Sequence, residues 1–247
     1  MYLTIQGIVL RVTDYNDKDA LLTMLTRRHG RLTVKARGLR RKNSPLIAPC
    51  QLLAYGEFTL FEYRGQYTIN EAQSIELFTP LRRDLTKLSL GTYFAQVSEV
   101  LSQEDMPSPE LQSLLLNCLY ALSRLDLPES QVKAVFELRA ACLSGYTPDL
   151  TGCHVCGSQT PERFDLSAGM LECRNCRSPE SNGIRMPVPP SVLEAMRYIC
   201  YCDSKKLFSF QAGEDTLQQL SEVTEAYLAT QLERGFSTLD FYKSLLI

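Results

Sequence analysis

Four cysteines are arranged in two C-x-x-C pairs, which is the spacing of a tetrahedral zinc site. The pairs are Cys153 with Cys156 and Cys173 with Cys176, and sixteen residues separate them. Two residues between thiolates allow one turn to present both sulfur atoms to an ion about 2.3 Å away. Because four thiolates complete the coordination of zinc, His154 is predicted not to be a ligand, and the single zinc ion is predicted to be structural. Four free thiols or two disulfides are the alternatives.

A run of basic residues near the N-terminus is the second group that suggests chemistry. Residues 1–80 contain eleven lysines and arginines against seven acidic residues, whereas the remainder contains 15 against 21. No acidic residue occurs between Ala20 and Gly56, where eight basic residues fall within sixteen positions. Such a cluster favours binding to the phosphates of nucleic acid. The candidate binding residues are Arg27, Arg31, Lys35, Arg37, Arg40, Arg41 and Lys42.

Alternation of basic and apolar residues predicts a strand within this run. Its exposed face would carry Arg31, Lys35 and Arg37, and a basic loop would follow at residues 38–44. Nearby aromatic rings could stack on bases, although we expect most of them in a core: Tyr15, Tyr55, Phe58, Phe61, Tyr63 and Tyr67. The alternative for the basic face is an acidic protein partner, which competition by single-stranded DNA would distinguish.

The sequence contains no arrangement typical of nucleophilic or acid–base catalysis. The two histidines are His29 and His154, and neither lies in a G-x-S-x-G, H-E-x-x-H or phosphate-loop context. Asp14, Asp17 and Asp19 could hold Mg²⁺ in a nuclease, but their position in a polar turn favours a solvated loop. We therefore predict that the protein is not an enzyme.

Five short strands are predicted in the first 80 residues, with too few residues between them for a crossover helix. They are expected at Leu3–Val12, Ala20–Thr26, Arg31–Arg37, Leu52–Tyr63 and Tyr67–Ile75. This pattern favours a Greek-key barrel of the oligonucleotide-binding (OB) type as a nucleic-acid-binding domain of residues 1–80, with an SH3-like barrel as the rival.

Helical periodicity begins after Pro80, so that the fold class is predicted as α+β. Helices are expected at Leu85–Ser102, from Ser108 through Leu122, and at Ser130–Leu143, Pro190–Cys200 and Thr216–Arg234. Residues 81–247 would form a helical domain with a zinc ribbon inserted at about residues 150–186.

Composition predicts a protein of a reducing compartment without a membrane anchor. The chain has 247 residues, 45% of them hydrophobic, but no apolar run reaches the roughly 18 residues of a membrane span. The N-terminus lacks the pattern of a signal peptide, so a cytoplasmic location is predicted. Five further cysteines lie in apolar surroundings, and Cys200 and Cys202 are interpreted as packing residues.

Several short motifs follow one another along the chain. They are Gly7-Ile8-Val9-Leu10-Arg11, Asp14-Tyr15, Leu21-Leu22-Thr23, His29-Gly30-Arg31-Leu32, Ala36-Arg37-Gly38-Leu39-Arg40-Arg41, Phe136-Glu137-Leu138-Arg139, Gly145-Tyr146, Pro148-Asp149-Leu150 and Cys153-x-x-Cys156-Gly157, with Tyr227-Leu228 and Ser237 to Phe241 near the C-terminus. Taken in this order, they resemble the bacterial RecO family of DNA repair proteins, and the resemblance covers nearly the whole chain.

This resemblance implies a recombination mediator without a catalytic centre. Such a protein binds single- and double-stranded DNA, anneals complementary strands, and with RecR helps to load RecA onto DNA coated by single-strand-binding protein. It also implies a nucleoid-associated protein of the bacterial cytoplasm. The basic segment would contact DNA, and Lys133 and Arg139 are approximate counterparts of residues that bind the acidic C-terminal tail of single-strand-binding protein.

Overall fold

A computed structural model describes residues 1–176 and 183–246 of the chain. The chain forms two compact units, one of Met1–Leu125 with Phe236–Ile247 and one of Asp126–Gly235. This division differs from the predicted one at residue 80, because the helices that follow the barrel and the helix after Phe236 group with it. A functional domain boundary at residue 80 stays a prediction.

The N-terminal strands form a closed five-stranded barrel. They are β1 (Tyr2–Asp14), β2 (Ala20–Thr26), β3 (Gly30–Ala36), β4 (Tyr55–Tyr63) and β5 (Gln66–Glu76). Around the barrel the order is β1-β2-β3-β5-β4, and the single parallel pairing joins Val34 to Tyr67 and Lys35 to Thr68. This Greek-key order confirms the predicted OB-type barrel over the SH3-like rival.

Residue alternation explains the barrel core. In β3 the apolar side chains of Leu32, Val34 and Ala36 point inward, while Thr33 and the predicted basic positions point outward. The neighbouring strand β2 is buried on nearly every residue, because helices cover part of its outer face. On that face the Gln112 amide donates to the Leu25 carbonyl at 3.1 Å.

The segment between β3 and β4 is a series of turns rather than the beginning of a longer strand. The predicted strand start at Leu52 is wrong: β4 begins at Tyr55, and Leu53 has a left-handed backbone with φ of 63°. The Leu53 N–H donates to the Val9 carbonyl at 2.8 Å. Leu39 and Leu46 enter the barrel core, so the turns are anchored by apolar side chains.

Six α-helices follow in the part of the chain that the structure describes. They are α1 (Leu85–Leu101), α2 (Pro109–Arg124), α3 (Glu129–Leu143), α4 (Pro190–Tyr201), α5 (Glu214–Gln231) and α6 (Ser237–Ser244). The first five agree with the predicted helices to within three residues at either end. The eight-residue α6 was not predicted as a helix, because it buries only Leu239 and Tyr242. None of the helices among these residues combines the length and apolar character that crossing a membrane requires.

A small sheet lies within the second unit. Its strands are β6 (Asp149–Cys153), β7 (Arg163–Asp165), β8 (Met170–Glu172) and β9 (Arg185–Pro187), in the order β6-β8-β7-β9. They correspond to the predicted inserted ribbon at residues 150–186, of which residues 177–182 lie outside the described part of the chain.

Candidate metal centre and nucleic-acid interface

The two cysteine pairs converge on one point. The Sγ atoms of Cys153, Cys156, Cys173 and Cys176 all lie within 4.8 Å of one another, and Cys156 Sγ is 3.7 Å from Cys173 Sγ. Four thiolates 2.3 Å from a tetrahedral ion would be about 3.8 Å apart, so the separation fits a metal site. A disulfide needs about 2.05 Å between sulfur atoms, and all four cysteines are free.

The backbone supports the cluster by donating hydrogen bonds to sulfur. The Cys173 N–H donates to Cys153 Sγ at 3.3 Å. Burial opposes ionisation of the Cys153 thiol, but hydrogen bonds from backbone N–H groups lower its pKa to about 6. Gly157 donates its N–H to the Cys153 carbonyl at 2.7 Å with a positive φ of 73°. The backbone therefore favours the thiolate form of Cys153. Desolvation and the neighbouring cysteines raise the pKa of the Cys173 thiol, and the contact with Cys156 raises that of the Cys176 thiol.

His154 lies beside the cluster and makes a different contact. Its Nε2 is 3.4 Å from Oε1 of the buried Glu172, whose other oxygen accepts from Arg185 Nε at 2.7 Å. Among residues 1–176 and 183–246, the one group of side chains that converges as metal ligands is the four cysteines. His154 thus has Glu172 as its neighbour, and that it is not a ligand stays a prediction.

Arg31, one of the predicted DNA-binding residues, contacts α1 through its side chain and the residues that follow that helix through its backbone. Its Nη1 donates to the Glu99 carbonyl at 3.0 Å, and its backbone N–H donates to the Gln103 carbonyl at 2.9 Å. The side chain is half-buried. Arg31 therefore holds the barrel against the end of α1. One nitrogen of its guanidinium, Nη1, already donates to the Glu99 carbonyl in that contact.

Two further cations of the basic segment are paired with aspartates of the β1–β2 turn. Arg40 Nη1 lies 3.0 Å from Asp14 Oδ2. Lys35 Nζ lies 3.4 Å from Asp19 Oδ2 and 4.5 Å from the centroid of the Tyr15 ring. Surface ion pairs of this kind are weak, so these cations can exchange partners. They are nevertheless partly neutralised before any ligand arrives.

The remaining cations of the basic segment are open to solvent. Arg37, Arg41 and Lys42 are exposed, and none of them forms an ion pair within the described residues. All three fall within residues 37–42, which we call the basic loop from here on and which overlap the loop predicted at residues 38–44. Arg27 is also exposed but follows β2 at the opposite end from Ala20, which pairs with Ala36. The structure thus separates Arg27 from the basic loop by the length of a strand.

Asp19 connects the β1–β2 turn to the basic loop. Its Oδ1 accepts the Gly38 N–H at 2.8 Å, and its Oδ2 accepts from Asn16 Nδ2 at 3.1 Å. The Gly38 N–H lowers the pKa of this carboxyl the most, followed by Asn16. With two of the three turn aspartates paired to cations, and with the cysteine group alone converging as ligands among the described residues, the magnesium alternative has no geometric support.

Replacing Asp19 by alanine should loosen the basic loop. We expect faster hydrogen exchange at Gly38, because its N–H loses the carboxylate oxygen to which it donates. The pKa of the Asp19 carboxyl is lowered from 3.8 in the folded protein. The contact between its ionised form and the Gly38 N–H therefore stabilises the fold above pH 3.8, and this stabilisation is lost as the pH falls through the lowered pKa. Asp17→Ala is the matched control; equal effects of both variants on exchange would contradict the assignment.

The predicted tail-binding residues are engaged in internal contacts. Lys133 is only 3% exposed, and its Nζ lies 3.0 Å from Glu137 Oε1 and 2.8 Å from Glu225 Oε2. A buried ammonium held by two carboxylates is not accessible to a peptide, so its prediction as a partner contact is corrected. Arg139 is half-buried and donates from Nη1 to the carbonyls of Ile199 and Cys200.

Cys142, Cys200 and Cys202 lie outside the four-cysteine cluster. Cys200 is buried, and its Sγ lies 3.7 Å from Cys142 Sγ. The contact with Cys200 lowers the pKa of the Cys142 thiol to about 7. Cys202 is half-buried and is not part of a metal-ligand group among the residues described. These positions agree with the interpretation of Cys200 and Cys202 as packing residues.

Sequence reasoning did not decide which aromatic side chains face solvent. Phe58 is fully buried in the barrel, whereas Tyr15, Phe61 and Tyr63 are 57%, 41% and 60% exposed. Tyr2, which was not among the candidates, is 63% exposed and packs against Phe61. The available signal was the period of two in β4, which puts Phe61 and Tyr63 on the face opposite to Phe58.

Models of one protein family match both the N-terminal and the C-terminal part of the chain. The family model "Recombination protein O N terminal" matches residues 1–78, and "Recombination protein O C terminal" matches residues 82–240. The chain is 33% identical to the DNA repair protein RecO of Acetivibrio thermocellus over 250 residues, which covers 99% of this chain and 97% of that protein.

Two other relatives carry the same description. The DNA repair protein RecO of Alkaliphilus metalliredigens is 29% identical over 248 residues, covering 99% of this chain and 100% of that protein. That of Bacillus subtilis is 29% identical over 223 residues, covering 90% and 86%. The similarity therefore extends over both compact units.

Proposed function

The chain belongs to the RecO family of DNA repair proteins, and on this premise we propose that it is a non-enzymatic recombination mediator. It binds single- and double-stranded DNA and anneals complementary strands. With RecR it helps to load RecA onto DNA coated by single-strand-binding protein, whose acidic tail it also binds. These activities place it in the bacterial cytoplasm at the nucleoid.

The observation that carries this proposal is the set of exposed cations in the basic loop. Arg37, Arg41 and Lys42 project from a segment whose apolar residues Leu39 and Leu46 are anchored in the barrel. A group of exposed cations on an anchored segment, without ion-pair partners in the described residues, attracts phosphates without reading base sequence. Lys35 and Arg40 can join it by exchanging a carboxylate for a phosphate.

Annealing follows from the same charges. Two complementary strands repel one another through their phosphates, and a basic surface that neutralises several phosphates on one strand reduces that repulsion. No bond is made or broken in this step. The protein is then needed only to hold one strand extended, so that a second strand can pair with it or a recombinase can assemble on it.

We expect single-strand affinity of the unmodified protein to fall steeply with salt. The logarithm of the association constant should decrease linearly with the logarithm of salt concentration, with a slope of about −0.7 for each phosphate contacted. Fluorescence anisotropy with a labelled oligonucleotide at several salt concentrations measures this slope. Binding that does not change with salt would rule out the phosphate-based mechanism.

Two rival functions are separated by simple assays. If the basic loop binds an acidic protein instead of DNA, unlabelled single-stranded DNA will not displace an acidic protein from the loop. If the aspartates of the β1–β2 turn form a nuclease site, pure protein will cleave labelled DNA with Mg²⁺ or Mn²⁺. We expect competition in the first assay and intact DNA in the second.

We also propose that the four-cysteine cluster holds a single structural zinc ion. Four thiolates leave no open coordination position, so the metal would organise the fold of the ribbon and would not activate water. Of the two predicted tail-binding residues Lys133 is buried and Arg139 is only half-buried, so Arg139 alone stays in the proposal. A peptide with the tail sequence, titrated against Arg139→Ala, tests that contact.

A further inference from the structure

Exposed aromatic rings lie side by side on the outer face of the barrel. Tyr2 of β1 pairs with Phe61 of β4, and the two ring centroids are 5.4 Å apart. Tyr63 lies two residues beyond Phe61 on the same face and is 60% exposed. The guanidinium carbon of Arg64 is 5.2 Å from the Tyr63 ring centroid. Single exposed rings are common on protein surfaces, but neighbouring exposed rings with a cation against one of them form the kind of surface on which bases can stack.

Strand register connects these rings to the basic segment. Phe61 pairs with Thr68 of β5, and Thr68 pairs with Lys35 of β3, so the three side chains form one row across neighbouring strands. With strands about 4.8 Å apart, Phe61 and Lys35 are roughly 10 Å apart along this row. The Lys35 ammonium in turn lies 4.5 Å from the centroid of the exposed Tyr15 ring.

We call Tyr15, Phe61 and Tyr63 the aromatic belt, and we propose that it stacks on unpaired bases and so selects single-stranded over duplex nucleic acid. This inference rests on the proposed function, because it uses the same barrel and adds bases to the phosphates already considered. Arg64 and Lys35 beside the rings would take the phosphates between stacked bases.

Selectivity follows from the geometry of the bases. In a duplex the faces of the bases are covered by their neighbours, and only the backbone and groove edges meet a protein. A single strand can present base faces to aromatic rings, and every base can stack. The cations should therefore bind both single-stranded and duplex DNA, whereas the aromatic belt should contact only the single strand.

The surroundings favour nucleic acid over an apolar protein partner. The row between Phe61 and Lys35 contains Thr68 rather than an aliphatic side chain, and cations lie against two of the rings. Glu71, which pairs with Thr59 on the next row, would repel phosphates on that side. The strand would thus run from the aromatic belt toward Lys35 and the basic loop.

The test compares ring-deletion variants on two ligands of equal length. Phe61→Ala/Tyr63→Ala should lose about fivefold to a hundredfold in affinity for oligo(dT) for each base contact removed, with duplex affinity within about twofold of the unmodified protein. Phe61→Tyr/Tyr63→Phe, which keeps both rings, should bind as the unmodified protein does. Tyr120→Ala removes a ring on α2 that is 52% exposed and is the matched control.

Circular dichroism establishes that each variant is folded, which the exposure of both rings leads us to expect. Unchanged oligo(dT) affinity, or an equal loss for oligo(dT) and duplex, overturns the inference. If the unmodified protein binds in a salt-dependent manner but the rings do not matter, the proposed function stands and this inference alone fails. Ultraviolet crosslinking to oligo(dT) adds a second readout: adducts on the aromatic belt support it, and adducts confined to other tyrosines contradict it.

Discussion

Replacing Arg37, Arg41 and Lys42 together by alanine should weaken single-strand binding about a hundredfold at 0.1 M salt. Each lost phosphate contact removes about 0.7 released counterion, which is worth about 0.7 logarithmic units of affinity at that salt concentration. Three contacts therefore give about two units, and the salt slope should become shallower by about two. Duplex affinity should fall as well, because phosphates are common to both ligands.

The design of this variant depends on the ion pairs of the structure. Lys35 and Arg40 are left in place because they already contact Asp19 and Asp14, so their removal would also leave carboxylates unpaired. Lys205→Ala/Lys206→Ala removes exposed cations from the second unit and serves as the control. If this control loses as much affinity as the triple variant, binding depends on net charge and not on the basic loop.

Replacing Cys153 by serine should release the metal and destabilise the second unit. Structural zinc contributes about 10–16 kcal/mol to the folding of small zinc peptides, and a smaller share is expected here because helices α3, α4 and α5 pack on their own. Metal analysis should find one zinc per chain before the substitution. Hydrogen exchange should then show the loss concentrated in strands β6 to β9.

The matched control is Cys202→Ser, which removes a half-buried thiol outside the cluster. It should retain zinc and melt close to the unmodified protein. In the Cys153 variant, DNA affinity should fall only in proportion to the unfolded fraction, since the basic loop belongs to the other compact unit. A well-folded Cys153 variant without DNA binding would show that the ribbon itself carries the function. Purified protein without any bound metal would instead reject the zinc proposal.

Removal of the metal by a chelator tests the same point without a substitution. A structural ion should leave slowly, and the loss of ordered structure should follow the loss of metal. Restoring zinc should restore both, whereas adding Mg²⁺ should not, because thiolates prefer softer ions.

The elements of the barrel could be predicted because their signals are local. Period-two alternation in β3 identifies its buried face, and the polar turn at residues 14–19 separates β1 from β2. The start of β4 could not be predicted in this way. Leu52 and Leu53 have the composition of a strand, but their backbone is used in turns that bring Leu46 and Leu39 into the core.

The four-cysteine cluster could also be predicted from the sequence alone, because the C-x-x-C spacing itself presents two sulfur atoms on one turn. The candidate DNA-binding residues were only partly determined. Arg31 and Lys35 occupy the outer face of β3 as predicted, but charge composition does not reveal that one is covered by α1 and the other paired with Asp19. For Lys133 the outcome is opposite to the expectation, since its helix is buried on nearly all sides.

The sequence by itself determined the properties that depend on neighbours along the chain. These are the periods of strands and helices, the C-x-x-C spacing and the concentration of positive charge. Only the tertiary structure decided which cations are free and which rings are exposed. The partners that settle those questions, such as Asp14 for Arg40 and Thr68 between Phe61 and Lys35, come from distant positions. Their contacts arise only when the barrel closes.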